Sequence, residues 1–306
     1  MNSGDTPQGV GGKPEWLRRK ERGSQLFIRA IVLLAVTLGR RIVRLCLAPI
    51  CLYFMAFSPA SRHASRRYLT RVRKGVATWR DIYRHYHSFA SCVLDRVFFL
   101  QNRIELFDVQ IHGEDIVDDI LARGSGCILL GAHIGSFEAL RAVGRDRAAL
   151  RVNMLMFDDN ARNVNKVLNA INPELAKEVI ELGRPDAFVR VQQCLEQGHF
   201  VGVLADRSLS DERQITRNFL GSPAQFSVNP FRMFSILNVP VVFMVALYRG
   251  GNRYEVHFER FAEALALSRR PSAAEIEAMV GRYVARLEHH CRDAPYNWFN
   301  FYDVWR

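Results

Sequence analysis

Paired cysteines are missing from this chain. Its six cysteines (Cys46, Cys51, Cys92, Cys127, Cys194, Cys291) are scattered with no CxxC among 306 residues, which supports neither a zinc site nor a disulfide framework and reads as reduced thiols. No GxSxG occurs, so the nucleophile elbow of a serine hydrolase is absent. No small-residue cleavage site follows the first apolar stretch, as a secretory signal would require. Long apolar runs are scarce as well. The longest charge-free one, Leu45–Ser61, contains Pro49 and sits near the lower limit for a membrane span, which takes about 17–25 residues. A polytopic membrane protein is thereby excluded. Disorder is excluded by the composition, 49% apolar and 24% charged, which supplies a substantial core. Lysine is nearly absent, five against 37 arginines, and acidic residues are rare in residues 1–103, where 5 Asp+Glu face 19 Lys+Arg.

What is present divides the chain. The length suits two domains of roughly 150 residues or one larger α/β domain. Residues 1–15 are Gly, Pro and small polar residues and read as a disordered tail. Residues 16–61 open with Trp16 and a basic cluster (Arg18, Arg19, Lys20, Arg22), then run apolar with Arg29, Arg40, Arg41 and Arg44 interspersed. That mixture suits a helix or hairpin lying in a membrane interface with its arginines reaching head groups. A single span and a buried core hairpin are the other readings. Residues 62–103 look helical, basic and aromatic, either a positive face or a solvated helix surface. The guanidinium fork favours phosphate, so an anionic membrane and nucleic acid are the candidate partners. No groove-reading motif accompanies the arginines, which argues against nucleic acid.

From residue 104 strands and helices alternate. Gly126–His133 reads as a buried strand, and Ser136 as the cap of a helix through Glu138 to Val143. Val152–Phe157, Glu178–Leu182 and Phe200–Ala205 read as further strands, with helices at Ala161–Ile171 and Asp186–Glu196. Asn229–Pro230 opens a helix to Leu237. Pro240–Leu247 and Tyr254–Phe261 flank a Gly250–Gly251–Asn252 turn as a hairpin, and Ser272 with Glu275 forms a capping box for a long last helix. The expected class is α/β: a mostly parallel central sheet flanked by helices, with an antiparallel edge hairpin, preceded by the apolar, basic helical segment.

Four blocks carry chemistry. His133 and Glu138 follow a buried strand. Residues five apart diverge by about 140° on one helix, so they meet only if His133 lies in the turn and Glu138 in the helix's first turn. Gly131, Gly135 and Ser136 supply that layout. A carboxylate there would hold the imidazole in the tautomer whose other nitrogen accepts a proton. The plainer reading makes His133 a strand-end residue and Glu138 a solvated one. The spacing is not that of HExxH, and no third metal ligand is evident. Gly202–Arg207 ends a second strand in Asp206-Arg207, a candidate structural ion pair. Phe219 to Pro230 is a loop before an apolar helix. Pro295–Tyr302 is dense in aromatics with polar tips, fitting a core plug or the wall of an acyl groove.

In this order the blocks resemble the bacterial lysophospholipid acyltransferase superfamily, specifically the branch of lipid A biosynthesis (late) acyltransferases. The matching positions are His133/Glu138, Gly202/Asp206, Phe219/Gly221, Val239–Val242 and Pro295–Trp298, and the likeness covers about residues 25–306. The resemblance implies acyl transfer from an acyl thioester, acyl carrier protein or acyl-CoA, to a hydroxyl or amine of a membrane lipid or glycolipid. It implies no cofactor and a bacterial inner-membrane location on the cytoplasmic face, with residues 62–306 as the acyltransferase domain. His133 is then the general base and Glu138 its orienting carboxylate. Arg184, Asp206, Arg207, Phe219, Gly221, Asn297 and Trp298 are the candidate substrate-binding residues, and backbone N–H groups around Gly135–Phe137 the candidate oxyanion donors. The tail reads Asn-Trp-Phe-Asn-Phe-Tyr where lipid A enzymes carry a basic ending, so the acceptor is taken as a membrane lipid in general. A non-catalytic, membrane-bound lipid-handling or carrier protein is the alternative.

Overall fold

Cys127-Ile-Leu-Leu-Gly131 has no polar side chain, and a backbone with such a run is best satisfied as a strand covered on both faces. It forms β2 (Cys127–Gly131), buried at every residue. The computed structural model describes residues 25–145, 150–156, 178–208, 212–263 and 270–305. The expected tail, the Trp16 cluster and the helix at Ala161–Ile171 lie outside these residues.

Seven strands form one sheet: β1 (Asp108–His112), β2, β3 (Val152–Met156), β4 (Val179–Glu181), β5 (Phe200–Leu204), β8 (Val241–Gly250) and β9 (Arg253–Ala262). Their order is β1-β9-β8-β2-β5-β3-β4. All neighbours are parallel except the hairpin pair β8–β9. The hairpin turns at Gly250 and Gly251, both at positive φ. β1 adds outside β9, so the antiparallel pair lies one strand in from that edge. A separate two-stranded hairpin joins β6 (Gln214–Phe219) to β7 (Ser222–Ser227), and β7 lies in what the sequence suggested was loop. Its turn places Leu220 and Gly221 at positive φ, the geometry of a two-residue hairpin.

Side chains alternate across β2, so its two faces feed two cores. Ile128 and Leu130 pack with α7 (Ala187–Glu196), α8 (Asn229–Leu237) and α9 (Ala273–Asp293). Cys127 and Leu129 pack with α4 (Trp79–Leu100), α5 (Glu114–Ala122) and α6 (Phe137–Arg145). Capping boxes open α4 at Thr78/Asp81 and α9 at Ser272/Glu275.

Three helices precede α4: α1 (Gln25–Leu38), α2 (Arg40–Phe57) and α3 (Pro59–Val72). α2 buries Val43, Leu47, Cys51 and Met55, a stripe at every fourth residue facing the protein. Arg40 forks onto Asp95 of α4 at 2.6 and 2.8 Å, and Tyr254 Oη donates to the same carboxylate at 2.8 Å. Arg40 and Arg44 also donate to the hairpin carbonyl of Gly251. α2 is thus fastened to the sheet by ion pairing as well as apolar packing. The expected boundary at residue 61 falls inside α3.

Candidate functional site

The site is assembled by strand register. β2 and β5 are parallel neighbours with Gly131 opposite Leu204, so the residues two beyond each carboxyl end, His133 and Asp206, face each other. Open α/β sheets present ligand sites at this edge. His133 Nδ1 lies 2.7 Å from Asp206 Oδ1, and the His133 backbone N–H donates to Asp206 Oδ2 at 3.0 Å. Two side chains of the carboxy-terminal tail complete the carboxylate's shell. Trp298 Nε1 donates to Oδ2 at 2.9 Å and Asn300 Nδ2 at 2.7 Å. The Asp206 side chain is wholly buried, whereas that of His133 is 25% exposed.

Burial alone would raise the Asp206 pKa, but His133, Arg207 and the backbone donor hold it well below the usual carboxylate range. An ionised Asp206 can only accept, so His133 Nδ1 carries the proton and Nε2 carries the lone pair. Burial, and then the charge of Arg207, push the His133 pKa below its ordinary value against the opposing pull of Asp206. The imidazole is therefore neutral near pH 7. No protein group hydrogen-bonds its Nε2 among the described residues.

The turn between β2 and α6 is tied down by backbone bonds. Gly135 N–H donates to Asn297 O, Ser136 N–H to Ala246 O, and Phe299 N–H to His133 O. Gly135 adopts φ +68°, and a Cβ there would lie 1.8 Å from Ala246 O, so this turn requires glycine. Ser136 Oγ accepts from Ala139 N–H as the sequence suggested, at 3.4 Å. The bonds of Gly135 and Ser136 commit two of the three N–H groups considered for an oxyanion. Of the three, the N–H of Phe137, at the start of α6, remains.

Glu138 is buried, yet its carboxylate faces Arg96 of α4 at 2.7 Å, and no hydrogen bond or ion pair joins it to His133 among the described residues. The expected His133–Glu138 partnership is thus replaced by His133–Asp206. The physical reason is that α6 carries Glu138 toward α4, while the β2–β5 register already brings a carboxylate to the ring.

The other candidates divide into two groups. Arg207 lies beside the pair, its Nε donating to Asn300 Oδ1 at 2.8 Å. Trp298 and Asn297 are buried structural members: Trp298 holds Asp206, and Asn297 makes two bonds to the Tyr248 backbone. Phe219 is fully buried against Trp298 at 5.2 Å, and Gly221 forms the β6–β7 turn. Arg184 follows β4, two strands from β5, with its side chain 59% exposed and paired with Asp186 and Glu181. It stands outside the cluster. Asn300 is the functional candidate that sequence reasoning passed over. Its only signal was membership of the polar-tipped aromatic tail.

One trio of metal-ligand types occurs among the described residues, at β1 and β9. Ligand atoms of His112, Glu255 and His257 lie within 4.8 Å of one another. The two imidazoles are stacked at 16°, and Arg249 Nε donates to the Glu255 carboxylate.

Residues 15–306 match the family model described as bacterial lipid A biosynthesis acyltransferase. No curated protein matches the chain.

Proposed function

The chain belongs to the bacterial lipid A biosynthesis acyltransferase family, and on that premise we propose that it moves a fatty acyl chain from a thioester, carried by acyl carrier protein or CoA, to a hydroxyl or amine of a membrane lipid or glycolipid. His133 is the general base. Its Nε2 takes the acceptor's proton as the acceptor oxygen or nitrogen attacks the thioester carbonyl. The tetrahedral intermediate collapses with cleavage of the C–S bond, and the departing thiolate recovers the proton from His133. Asp206 fixes the tautomer and stabilises the transient imidazolium. No acyl-enzyme is needed, because the thioester is already activated. The observation that carries this reading is the 2.7 Å His133–Asp206 contact, made by Nδ1 of a partly exposed ring.

Arg207, beside the base, is suited to an anionic substrate group. Glu138 pairs with Arg96 of α4 and through that pair fixes α6, the helix that follows the His133 turn. Phe89, 40% exposed, packs at 5.3 Å against both Phe299 and Phe301. Phe299 is backbone-bonded to His133. This aromatic ledge beside the base suits an acyl chain.

Membrane attachment rests on the outer side of the first helices. Leu33, Leu38, Ile42, Leu45, Tyr53 and Phe57 are exposed there, Leu45 by 75%. No single described helix is long and apolar enough to cross a membrane. α2 and α3 pass that test only as a pair bent by 99°. An interfacial arrangement on an anionic leaflet, the cytoplasmic face of the inner membrane, agrees with this pattern and with the basic residues of the first third.

The test is His133→Ala, purified in detergent and confirmed folded by circular dichroism, assayed with acyl thioester donors and membrane-lipid acceptors. Transfer should fall by about 10²–10⁴. A folded variant with near-normal rates would leave the mechanism without a base.

A further inference from the structure

The His133–Asp206 pair uses two protein segments that are remote in sequence, and half of the carboxylate's donors come from a third. Of the four N–H groups on Asp206, two come from His133 itself and two from the tail, Trp298 Nε1 and Asn300 Nδ2, both on Oδ2. Oδ2 therefore has its acceptor capacity filled, while Oδ1 is left to the imidazole. The tail is anchored independently. His85 of α4 lies fully buried with Nδ1 2.8 Å from Ser65 Oγ of α3 and Nε2 2.8 Å from Trp298 O. A carbonyl can only accept, so Nε2 donates to it and Nδ1 accepts from the serine hydroxyl. Burial pushes the His85 pKa down to about 4, so this anchor stays neutral across the physiological range.

We infer that Trp298 is a positioning residue for acyl transfer: its indole N–H, set in place by His85 and Ser65, occupies Oδ2 of Asp206 so that Oδ1 alone meets the His133 ring, and thereby limits the basicity of the imidazole. This rests on the reading of His133 as the base. The donors compete for the charge of the carboxylate. Each N–H donated to a carboxylate withdraws charge density, and a carboxylate relieved of one donor interacts more strongly with a neighbouring imidazolium. With Trp298 Nε1 removed, three donors still hold Asp206 in place, so the electrostatic effect is isolated from loss of geometry.

The other ionisable groups facing the pair are Arg207, on the same turn as Asp206, Tyr283 and Cys291 from α9, and Tyr302 near Arg207. Burial pushes Tyr283 and Cys291 up, leaving both neutral at pH 7. Arg207 is the charged one, and it donates to Asn300 and the tail carbonyl of Phe299, not to Trp298.

The experiment replaces Trp298 in the full-length, detergent-solubilised protein with benzothienylalanine, which keeps the bicyclic shape and exchanges N–H for sulfur. Trp298→Phe is the genetically simple companion. Two readouts are taken. One is the titration of His133, followed by NMR of isotopically labelled histidine and assigned by the signal lost in His133→Gln. The other is the pH profile of kcat/KM. The expected result is an upward movement of the His133 midpoint by about half a unit to one unit, with the acid limb of kcat/KM moving equally. A midpoint that is unchanged or lower in the folded benzothienylalanine protein overturns the inference. The base reading fails separately. If His133→Ala stays active while the titration moves, Trp298 still acts on the pair but the pair is not the catalyst. If His133→Ala is inactive and the titration does not move, the base stands and the inference falls.

Discussion

Replacing Asp206 with asparagine puts the mechanism at greatest risk, because the change is nearly isosteric and its consequence follows from counting donors. Oδ2 accepts three N–H groups, from His133 N, Trp298 Nε1 and Asn300 Nδ2, and Oδ1 accepts one from His133 Nδ1. An amide offers one oxygen and one NH₂. Turning the NH₂ toward the three donors would leave several buried N–H groups unpaired, at about 1–3 kcal/mol each. The oxygen therefore takes the Oδ2 position and the NH₂ faces His133 Nδ1. That nitrogen must now accept, the ring proton moves to Nε2, and the base loses its lone pair. The expected loss in kcat is about 10³–10⁴, the scale of a wrong-tautomer substitution, with little change in circular dichroism. Nitrogen NMR of the histidine should show the Nδ1–H form in wild type and the Nε2–H form in the variant. Stability has its own signature. A carboxylate whose folded pKa is depressed contributes stability above its unfolded value and loses it as pH falls through the folded one. The gap in melting temperature between wild type and Asp206→Asn should therefore be full at pH 7 and narrow below about pH 4. An Asp206→Asn protein that transfers acyl groups at half the wild-type rate or better, or keeps the Nδ1–H form, would refute the reasoning.

Three further outcomes follow from the contacts of Glu138 and α2. Glu138→Gln should reduce activity through Arg96 yet leave the acid limb of the pH–rate profile where it is, because Glu138 has no bond to His133. A shift of that limb on this substitution would restore Glu138 as the orienting carboxylate. Arg40→Met strips the fork from the wholly buried Asp95 and should cost about 3 kcal/mol, read as a lowered Tm. By the same logic, deletion of residues 1–61 should yield unstable or aggregated protein, and a soluble, cooperatively folding fragment would show that α2 is dispensable.

The sequence alone determined those elements whose cause is local. Apolar runs bounded by turn residues marked β2, β3, β5 and β8, and the Ser272/Glu275 box marked the start of α9. The two glycines at 250 and 251 marked the hairpin. The ordered blocks from His133 to Trp298 identified the family. These are properties of neighbouring residues, and neighbouring residues carry them wherever the segment packs.

Only the tertiary structure decided which carboxylate meets the His133 ring. Glu138 lies five residues from His133 and Asp206 lies 73 away, yet strand order places β5 beside β2 and the register of Gly131 with Leu204 sets Asp206 against the ring. No periodicity in the chain encodes that adjacency. It arises because parallel neighbours share a carboxyl edge and the choice of neighbour is made by packing across the whole sheet. The same holds for the tail, whose Trp298 and Asn300 read as generic aromatic and polar residues until His85 and the β2–α6 turn fix them on Asp206. It holds too for α2, whose apolar, basic pattern suits an interface or a core equally. Buried Asp95, forked by Arg40, and the apolar stripe of α2 together make that helix part of the folded body.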